Sequence, residues 1–174
     1  MKTIIYMVLL AMPLSVFAKN DQNSVSITIS PISLLLPVVK VTTEMRLDKE
    51  NSFSLIGGYG VFDDPLTQIE ASVKEFGFQY TMYEAGDFNY GKQYGFEFLA
   101  ATAKNRNGYS GVAFGFGPYI GYKATIPSGL VGLAQFGIQY VIGAGSTEYN
   151  DGLKATGYSE GVMLLFNVKV GWSI

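Results

Sequence analysis

The feature that most constrains this chain is a strict two-residue alternation of apolar and polar side chains. It is clearest over the last residues, where the apolar members are Phe166, Val168, Val170, Trp172 and Ile174, and the others are Asn167, Lys169, Gly171 and Ser173. Successive side chains of a β-strand point to opposite faces, so this pattern predicts a strand with one apolar face. Because the same alternation returns along the chain, the sequence predicts an all-β fold.

Clusters of turn-forming residues divide the alternating segments from one another. The divisions predict eight strands, at residues 24–31, 37–47, 51–62, 69–83, 93–103, 109–126, 129–144 and 158–174. Pro31 and Pro37 frame the segment between them, where we expect a bulge or a short helix. Eight strands joined by hairpins predict an antiparallel up-and-down β-barrel.

The composition of the two strand faces indicates which face is outside. A soluble barrel turns its large apolar residues inward, whereas a membrane barrel turns them towards lipid and keeps polar and small residues in the lumen. In this chain, the face that carries the small and polar side chains is largely Gly, Ala and Gln. Gly weakens a strand on an open solvent face, but it suits a narrow lumen. The sequence therefore predicts a transmembrane β-barrel, with aromatic residues near the strand ends at the membrane interface, among them Tyr80, Tyr94, Tyr122, Tyr140 and Trp172.

Residues 1–18 carry the features of a secretory signal peptide. Lys2 supplies a positive start, an apolar stretch runs from Ile4 to Leu14, and Val16-Phe17-Ala18 forms a cleavage box. The apolar stretch is shorter than the roughly 18 to 20 residues of a spanning helix. We therefore expect export and cleavage after Ala18, which leaves residues 19–174 as the barrel.

The inward face carries a set of polar side chains that we expect to form a lumen network. Its members are Lys40, Glu44, Arg46, Gln79, Glu97, Lys123, Gln135, Gln139, Asn167 and Lys169. An eight-stranded barrel is only wide enough for side chains to fill it, and a buried charge needs a partner. We expect Glu44 and Glu97 to pair with Arg46, Lys40 or Lys123. The surplus of positive charge leaves open an anion in the lumen.

Several functional classes are excluded by what the chain lacks. It has no Cys and no His, so it has no thiol nucleophile, imidazole base or thiolate metal site. Its formal charge is −2, without the basic patch of a nucleic-acid-binding protein. The pairs Asp63 with Asp64 and Glu148 with Asp151 are expected to be solvated loop carboxylates. We predict no catalytic residue, cofactor, metal or nucleic acid.

The pattern resembles the small eight-stranded bacterial outer-membrane β-barrels, namely the OmpX type and the transmembrane domain of OmpA. The best local match is the segment Gly171-Trp172-Ser173-Ile174, similar to the C-terminal signal that the barrel-assembly machinery reads in this class. Ile174 departs from the aromatic residue usual there. The resemblance implies the outer membrane of a Gram-negative bacterium, with lipid and lipopolysaccharide as partners. The enzymes known among outer-membrane barrels rely on a His.

These observations predict a non-enzymatic barrel with a filled lumen and a structural or surface-interaction role. The segments 62–68 and 145–157 are predicted to be outer loops, one of which would contact a protein partner. Two alternatives stay open: a narrow, porin-like channel for small solutes, and a periplasmic barrel that carries a lipid or another ligand.

Overall fold

The structure, a computed structural model, describes residues 24–35, 38–64, 69–84, 87–105, 108–148 and 154–174. Its strands are β1 (Val25–Ile29), β2 (Val38–Arg46), β3 (Asn51–Asp64), β4 (Ile69–Tyr83), β5 (Tyr90–Asn105), β6 (Tyr109–Thr125), β7 (Leu130–Glu148) and β8 (Lys154–Ser173). A short 3₁₀ helix, Ile32–Leu35, follows β1. No helix among these residues is long and apolar enough to cross a membrane. The expected signal peptide, residues 1–18, lies outside the described residues.

The eight strands form a closed barrel in sequence order. Each strand pairs antiparallel with the next, and β1 closes the ring on β8 through the register Ser26 with Ser173 to Ile29 with Val170. The predicted all-β, up-and-down, eight-stranded fold is therefore confirmed. Closure by β1 and β8 leaves the base of the sheet without a free edge, the usual solution for an antiparallel sheet of this size.

Strand lengths correct the predicted loops. β7 continues to Glu148 and β8 begins at Lys154, so most of the predicted loop 145–157 is strand, and residues 149–153 lie outside the described residues. β3 likewise runs through the first residues of the predicted loop 62–68. Asp63, Asp64 and Glu148 are therefore strand residues rather than loop residues, because these hairpins keep their pairing further than turn propensity alone indicates.

The barrel is apolar outside and polar inside. On β4, Phe78 and Tyr80 are exposed on the outer surface, while Gln79 and Thr81, which alternate with them, are each 1% exposed. Outward aromatic rings pack on one another across neighbouring strands, as between Phe78 and Phe98, whose centroids lie 5.2 Å apart. This arrangement inverts the usual relation between burial and polarity in a water-soluble domain.

One end of the barrel, called here the lower end, carries the connections β2–β3, β4–β5 and β6–β7, whose described residues are 47–50, 84, 87–89 and 126–129. In the middle connection, Phe88 is only 1% exposed and packs edge-on against Tyr83. In the last turn, Gly129 has a φ of 91°, and a Cβ there would lie 2.6 Å from the indole nitrogen of Trp172. The lower end is thus closed by its own turns.

Candidate functional site: the polar lumen network

The lower half of the lumen holds a buried ion pair between Glu44 on β2 and Lys123 on β6. Lys123 Nζ donates to Glu44 Oε2 at 2.7 Å, and the two side chains are 0% and 8% exposed. Ser52 donates to the other oxygen of Glu44 at 2.6 Å, and Tyr83 also donates to it. A buried ion pair is tolerated only when its remaining hydrogen-bonding groups are satisfied, and these hydroxyls supply that support.

Lys123 also ties the ion pair to the seam where the barrel closes. Its Nζ donates to Ser26 Oγ at 3.1 Å, and Ser26 Oγ donates in turn to Ser173 Oγ at 3.1 Å. On its other side, Nζ lies 3.5 Å from the centroid of the Phe88 ring. A cation over an aromatic face is attracted by the ring quadrupole, and more strongly where water is excluded.

A second group of polar residues lies above the ion pair and is built mainly from amides. Glu97 accepts from Gln79 through one oxygen and from Gln139 through the other, the latter at 2.6 Å. Gln79 connects this carboxylate to two further residues. Its side-chain nitrogen also donates to the side-chain oxygen of Gln135 at 3.3 Å, and its side-chain oxygen accepts from Lys169 at 2.9 Å. Lys169 is 2% exposed, so its charge is held inside the barrel by these hydrogen bonds.

The other expected members lie nearby with different partners. Lys40 Nζ is 2.9 Å from Glu75 Oε2, an ion pair whose approach is not aligned for a hydrogen bond. Arg46 lies at the lower end and donates from Nε to the carbonyl of Asp48 at 2.8 Å. Asn167 is buried and directly opposite Gln135 in the pairing of β7 with β8. All ten expected residues thus face the lumen or its rim, but Lys40 and Glu97 have partners other than those expected.

Sequence reasoning missed several residues that complete the network. Glu75, Tyr83 and Tyr119 occupy inward positions of their strands, so strand parity alone would have placed them in the lumen. Tyr119 OH lies 2.6 Å from Thr81 Oγ1. Phe88 carried no such signal, because a turn has no alternation from which to predict burial.

Glycine makes room for these side chains. A Cβ at Gly95 would overlap the ring of Tyr119, and a Cβ at Gly121 would lie 2.8 Å from Gln93 Nε2. A Cβ at Gly58 would lie 2.9 Å from Glu75 Oε2. These glycines are inward-facing and in close contact with the polar side chains, so the lower lumen is tightly packed rather than open.

The predicted assembly segment, Gly171 to Ile174, lies at the lower end of the barrel, where β8 ends. Trp172 is 50% exposed on the outer surface, and Gly171 packs against the backbone of β1, where a Cβ would overlap the carbonyl oxygen of Ile27. Ile174 pairs with the first strand, its carbonyl accepting from Ser24 and Val25 at 2.8 and 3.0 Å. The segment is therefore part of the closing seam.

Chemically, the network is a set of donors and acceptors that largely satisfy one another. Within the described ranges, no three acidic, His or Cys side chains are grouped so that they could hold a metal ion. Among the described residues, the arrangement holds three lysines and three carboxylates inside the barrel, while large apolar side chains are exposed on the outer surface. Comparisons of this chain with known protein families, with curated proteins and with solved structures find no match.

Proposed function

We propose that this protein is a non-enzymatic integral outer-membrane β-barrel with a filled polar lumen. The observation that carries the proposal is the inverted arrangement of the barrel. Phe76, Val162 and Leu164 are 61%, 70% and 71% exposed on the outside, whereas Lys123 and Lys169 are buried inside. A continuous exposed apolar surface on a closed barrel matches a lipid environment, and water would make it unfavourable.

The height of the apolar surface supports the same proposal. On β8, the outward apolar residues run from Val162 to Trp172 and end above at Glu160. At about 3.3 Å per residue and a strand tilt of roughly 40°, this span is about 25 Å tall, which is the usual height of the lipid-facing band. Trp172 and Tyr158 stand near the two boundaries, as interfacial aromatic residues do.

Two lysines support contact with lipopolysaccharide. Lys74 and Lys104 are exposed on adjacent strands, one and two outward positions beyond the apolar Phe76 and Ala100. At that level, their ammonium groups can pair with lipid phosphates. The resemblance to small eight-stranded outer-membrane barrels supports the same location and a role for the seam segment in recognition by the barrel-assembly machinery.

The packing of the lower lumen favours a sealed barrel over the alternative of a narrow channel. Conduction would require the Glu44–Lys123 ion pair to separate and Phe88 to leave the lower end. Purified protein in a planar bilayer is expected to give no discrete conductance steps. Reproducible steps at the wild-type sequence would favour the channel.

The location is tested by cell fractionation combined with heat-modifiable gel migration. The mature chain is expected in the outer-membrane fraction, with folded and boiled forms running differently. Phe78→Lys places a charge near the middle of the apolar band and should destabilise the folded barrel by about 2 to 4 kcal/mol, whereas Leu47→Lys at its lower edge should cost about 0 to 1 kcal/mol.

Two results would contradict the proposal. One is a mature chain that stays soluble without detergent, which favours the periplasmic ligand-carrying barrel. The other is equal destabilisation by Phe78→Lys and Leu47→Lys, because a lipid environment makes the cost depend on depth.

The proposed surface-interaction role belongs to the connections predicted as outer loops, within 62–68 and 145–157; in the second of them, residues 149–153 join β7 to β8 in the sequence. Replacing those residues with Gly and Ser should leave folding and membrane location unchanged while removing capture of a partner from cell extracts. Capture that is unchanged by this replacement would assign partner binding to another segment or leave the protein with a structural role.

A further inference from the structure

We propose that the upper half of the lumen binds one hydrocarbon chain, which enters sideways through a gap beside β8. The upper chamber is the cavity of about 550 Å³ between β4, β5, β6, β7 and β8, with walls that include Val73, Ala101, Ala103, Ala113, Gly145 and Gly157. The β8 gap is the side of β8 residues 154–169 that faces β1 and has no strand partner among the described residues. The chemistry of the chamber is shared by the tail of a membrane lipid and by a free fatty acid.

The walls of the upper chamber are small and uncharged. No charged side chain lines it among the described residues, and its polar groups are hydroxyls such as those of Tyr109 and Ser159. A volume of about 550 Å³ is within the range of sites that bury a small ligand. A water-filled mouth of a membrane barrel is normally polar, so this lining favours an apolar occupant.

The chamber is open where the lower lumen is packed. A Cβ built at Gly157 or Gly161, both inward-facing on β8, would meet no atom within 4 Å. In the lower lumen, by contrast, a Cβ at Gly121 would lie 2.7 Å from the carbonyl oxygen of Ala134. Tyr109 fills the side of the chamber next to Gly145, where a Cβ would lie 2.9 Å from its hydroxyl, whereas the side next to Gly157 has room for a ligand.

The β8 gap arises because β1 is much shorter than its neighbour. β1 pairs with β8 only as far as Ile29 with Val170, while β8 continues to Lys154. Among the described residues, β8 has no strand partner on this side above Val170. Pro31 follows β1 directly, and because it lacks an N–H and the 3₁₀ helix begins at the next residue, the strand ends there.

Between Gly161 and Leu164, both faces of β8 are apolar and exposed beside the gap. Val162 and Leu164 point outward and are 70% and 71% exposed, and Met163 between them points inward yet is 59% exposed. Below Met163, Leu165 is inward-facing and 5% exposed, so an apolar layer lies between the chamber and the polar network. A chain could therefore pass from the outside over Met163 without crossing a charged group.

The free backbone edge of β8 suits the polar head of such a chain. Strand edges present unpaired N–H and C=O groups, which are unfavourable in hydrocarbon unless a polar group satisfies them. Beside residues 154–160, where this edge lies above the apolar band and level with the upper chamber, the ester or carboxyl oxygens at the head of an acyl chain can accept such hydrogen bonds while the tail occupies the chamber. One part of this inference, the supply of the chain by a membrane lipid, rests on the proposed function.

The test is photocrosslinking in vesicles, with two probes that carry the same photoreactive tail: a diazirine-bearing palmitic acid and a phosphatidylethanolamine that contains it. Adducts are mapped to residues by mass spectrometry. Adducts on inward Val73, Ala103 or Ala113 report the upper chamber, and adducts on outward Phe116 or Phe136 report contact with the bilayer. The probe that labels the inward residues identifies the source of the chain.

The expected result is labelling of both the inward and the outward residues. Outward labelling alone would overturn the chamber and leave the membrane location standing. Inward labelling alone would support the chamber and overturn the location, making the protein a carrier outside the membrane. Labelling of neither set would overturn both.

A matched pair of variants separates binding in the chamber from loose adsorption. Ala101→Trp fills the upper chamber, whereas Ala100→Trp places the same indole on the outer surface one residue away. Inward labelling at Val73 and Ala113 should fall about tenfold in Ala101→Trp, equivalent to about 1.4 kcal/mol of binding free energy, and stay unchanged in Ala100→Trp. Equal labelling in the two variants would overturn the proposal.

Because Ala101→Trp could disturb folding, a second variant keeps the test informative. Gly161→Phe adds a ring at a position where a Cβ meets nothing within 4 Å, so the barrel should fold normally and show heat-modifiable migration. It too should lower inward labelling about tenfold while outward labelling stays the same. Full inward labelling in a folded Gly161→Phe protein would argue against entry past β8.

Discussion

Lys123, near the lower end of β6, lies with its ammonium group 3.5 Å from the ring centroid of Phe88, a residue of the turn between β4 and β5. The turn is longer than a tight hairpin needs, and the length lets Phe88 reach into the lower end of the lumen. The extra length of this turn thus has a structural role, because the turn covers the buried charge of Lys123.

Phe88 should contribute strongly to stability although it lies in a turn. Phe88→Ala is expected to lower the free energy of unfolding by about 3 to 5 kcal/mol, because it leaves a cavity and removes the ring from Lys123. Urea unfolding of the detergent-solubilised barrel measures this change. Glu84→Ala, at an exposed position of the same turn, is the control and should cost about 0 to 1 kcal/mol. Equal losses in the two variants would show that the turn does not cover the lumen.

The buried ion pair should behave as a unit. Glu44→Gln or Lys123→Met alone is expected to cost about 3 to 5 kcal/mol, because each leaves the other charge buried without its partner. The double variant Glu44→Gln with Lys123→Met should be closer to the wild type than either single variant. A double-mutant cycle by urea unfolding measures the coupling, and strict additivity would contradict the pairing.

Glycine packing in the lower lumen gives a direct steric test. Gly95→Ala should destabilise the barrel by about 1 to 3 kcal/mol, since its methyl group would overlap the ring of Tyr119. Gly132→Ala should be neutral or stabilising by about 0.5 to 1 kcal/mol, because a Cβ there meets nothing within 4 Å and Ala loses less conformational freedom on folding. The unfolding midpoints of the two variants should therefore move in opposite directions.

The turn between β2 and β3 should give the barrel one acid-sensitive contact. Hydrogen bonds from the Asn51 side chain, and then from the backbone N–H of Glu50, lower the pKa of Asp48 below its ordinary value of about 3.9. Because the folded pKa is depressed, this contribution is present above the unfolded value and is lost as the pH falls through the folded one.

Asp48→Asn tests this dependence. The wild type should be more stable than the variant at neutral pH, and the difference should shrink as the pH falls below about 4. Urea unfolding of both proteins over a pH series measures the difference. A constant difference across the series would mean that the charge of Asp48 has no part in it.

Strand parity predicted the fold because it is a local property. Whether Gln79 or Phe78 faces the lumen depends only on the alternation along β4, which the sequence displays directly. Strand parity does not predict which side chains become partners across the lumen. Lys40 meets Glu75 rather than Glu97 because the stagger of all the strands together decides which side chains share a level, and no local pattern records that stagger.

Two features that strand parity could not predict, the burial of Phe88 and the β8 gap, share a physical cause. Phe88 is buried by the path of a turn, and the β8 gap follows from where β1 ends. Pro31 and Pro37 did indicate an irregular segment, and a 3₁₀ helix lies there, at Ile32–Leu35. The consequence for β8, more than a hundred residues further along the chain, could not be predicted without the closed ring.

The hydrogen bonds from Lys123 to Ser26 and from Ser26 to Ser173 join the central charge to the first and last strands. During assembly, the ammonium group cannot lose its water favourably until β1 and β8 have met beside it. We therefore expect ring closure and the desolvation of this lysine to occur together. In a barrel that has not closed, Lys123 would stay hydrated and the lumen around it would not be packed. We therefore expect insertion to proceed in an all-or-none manner.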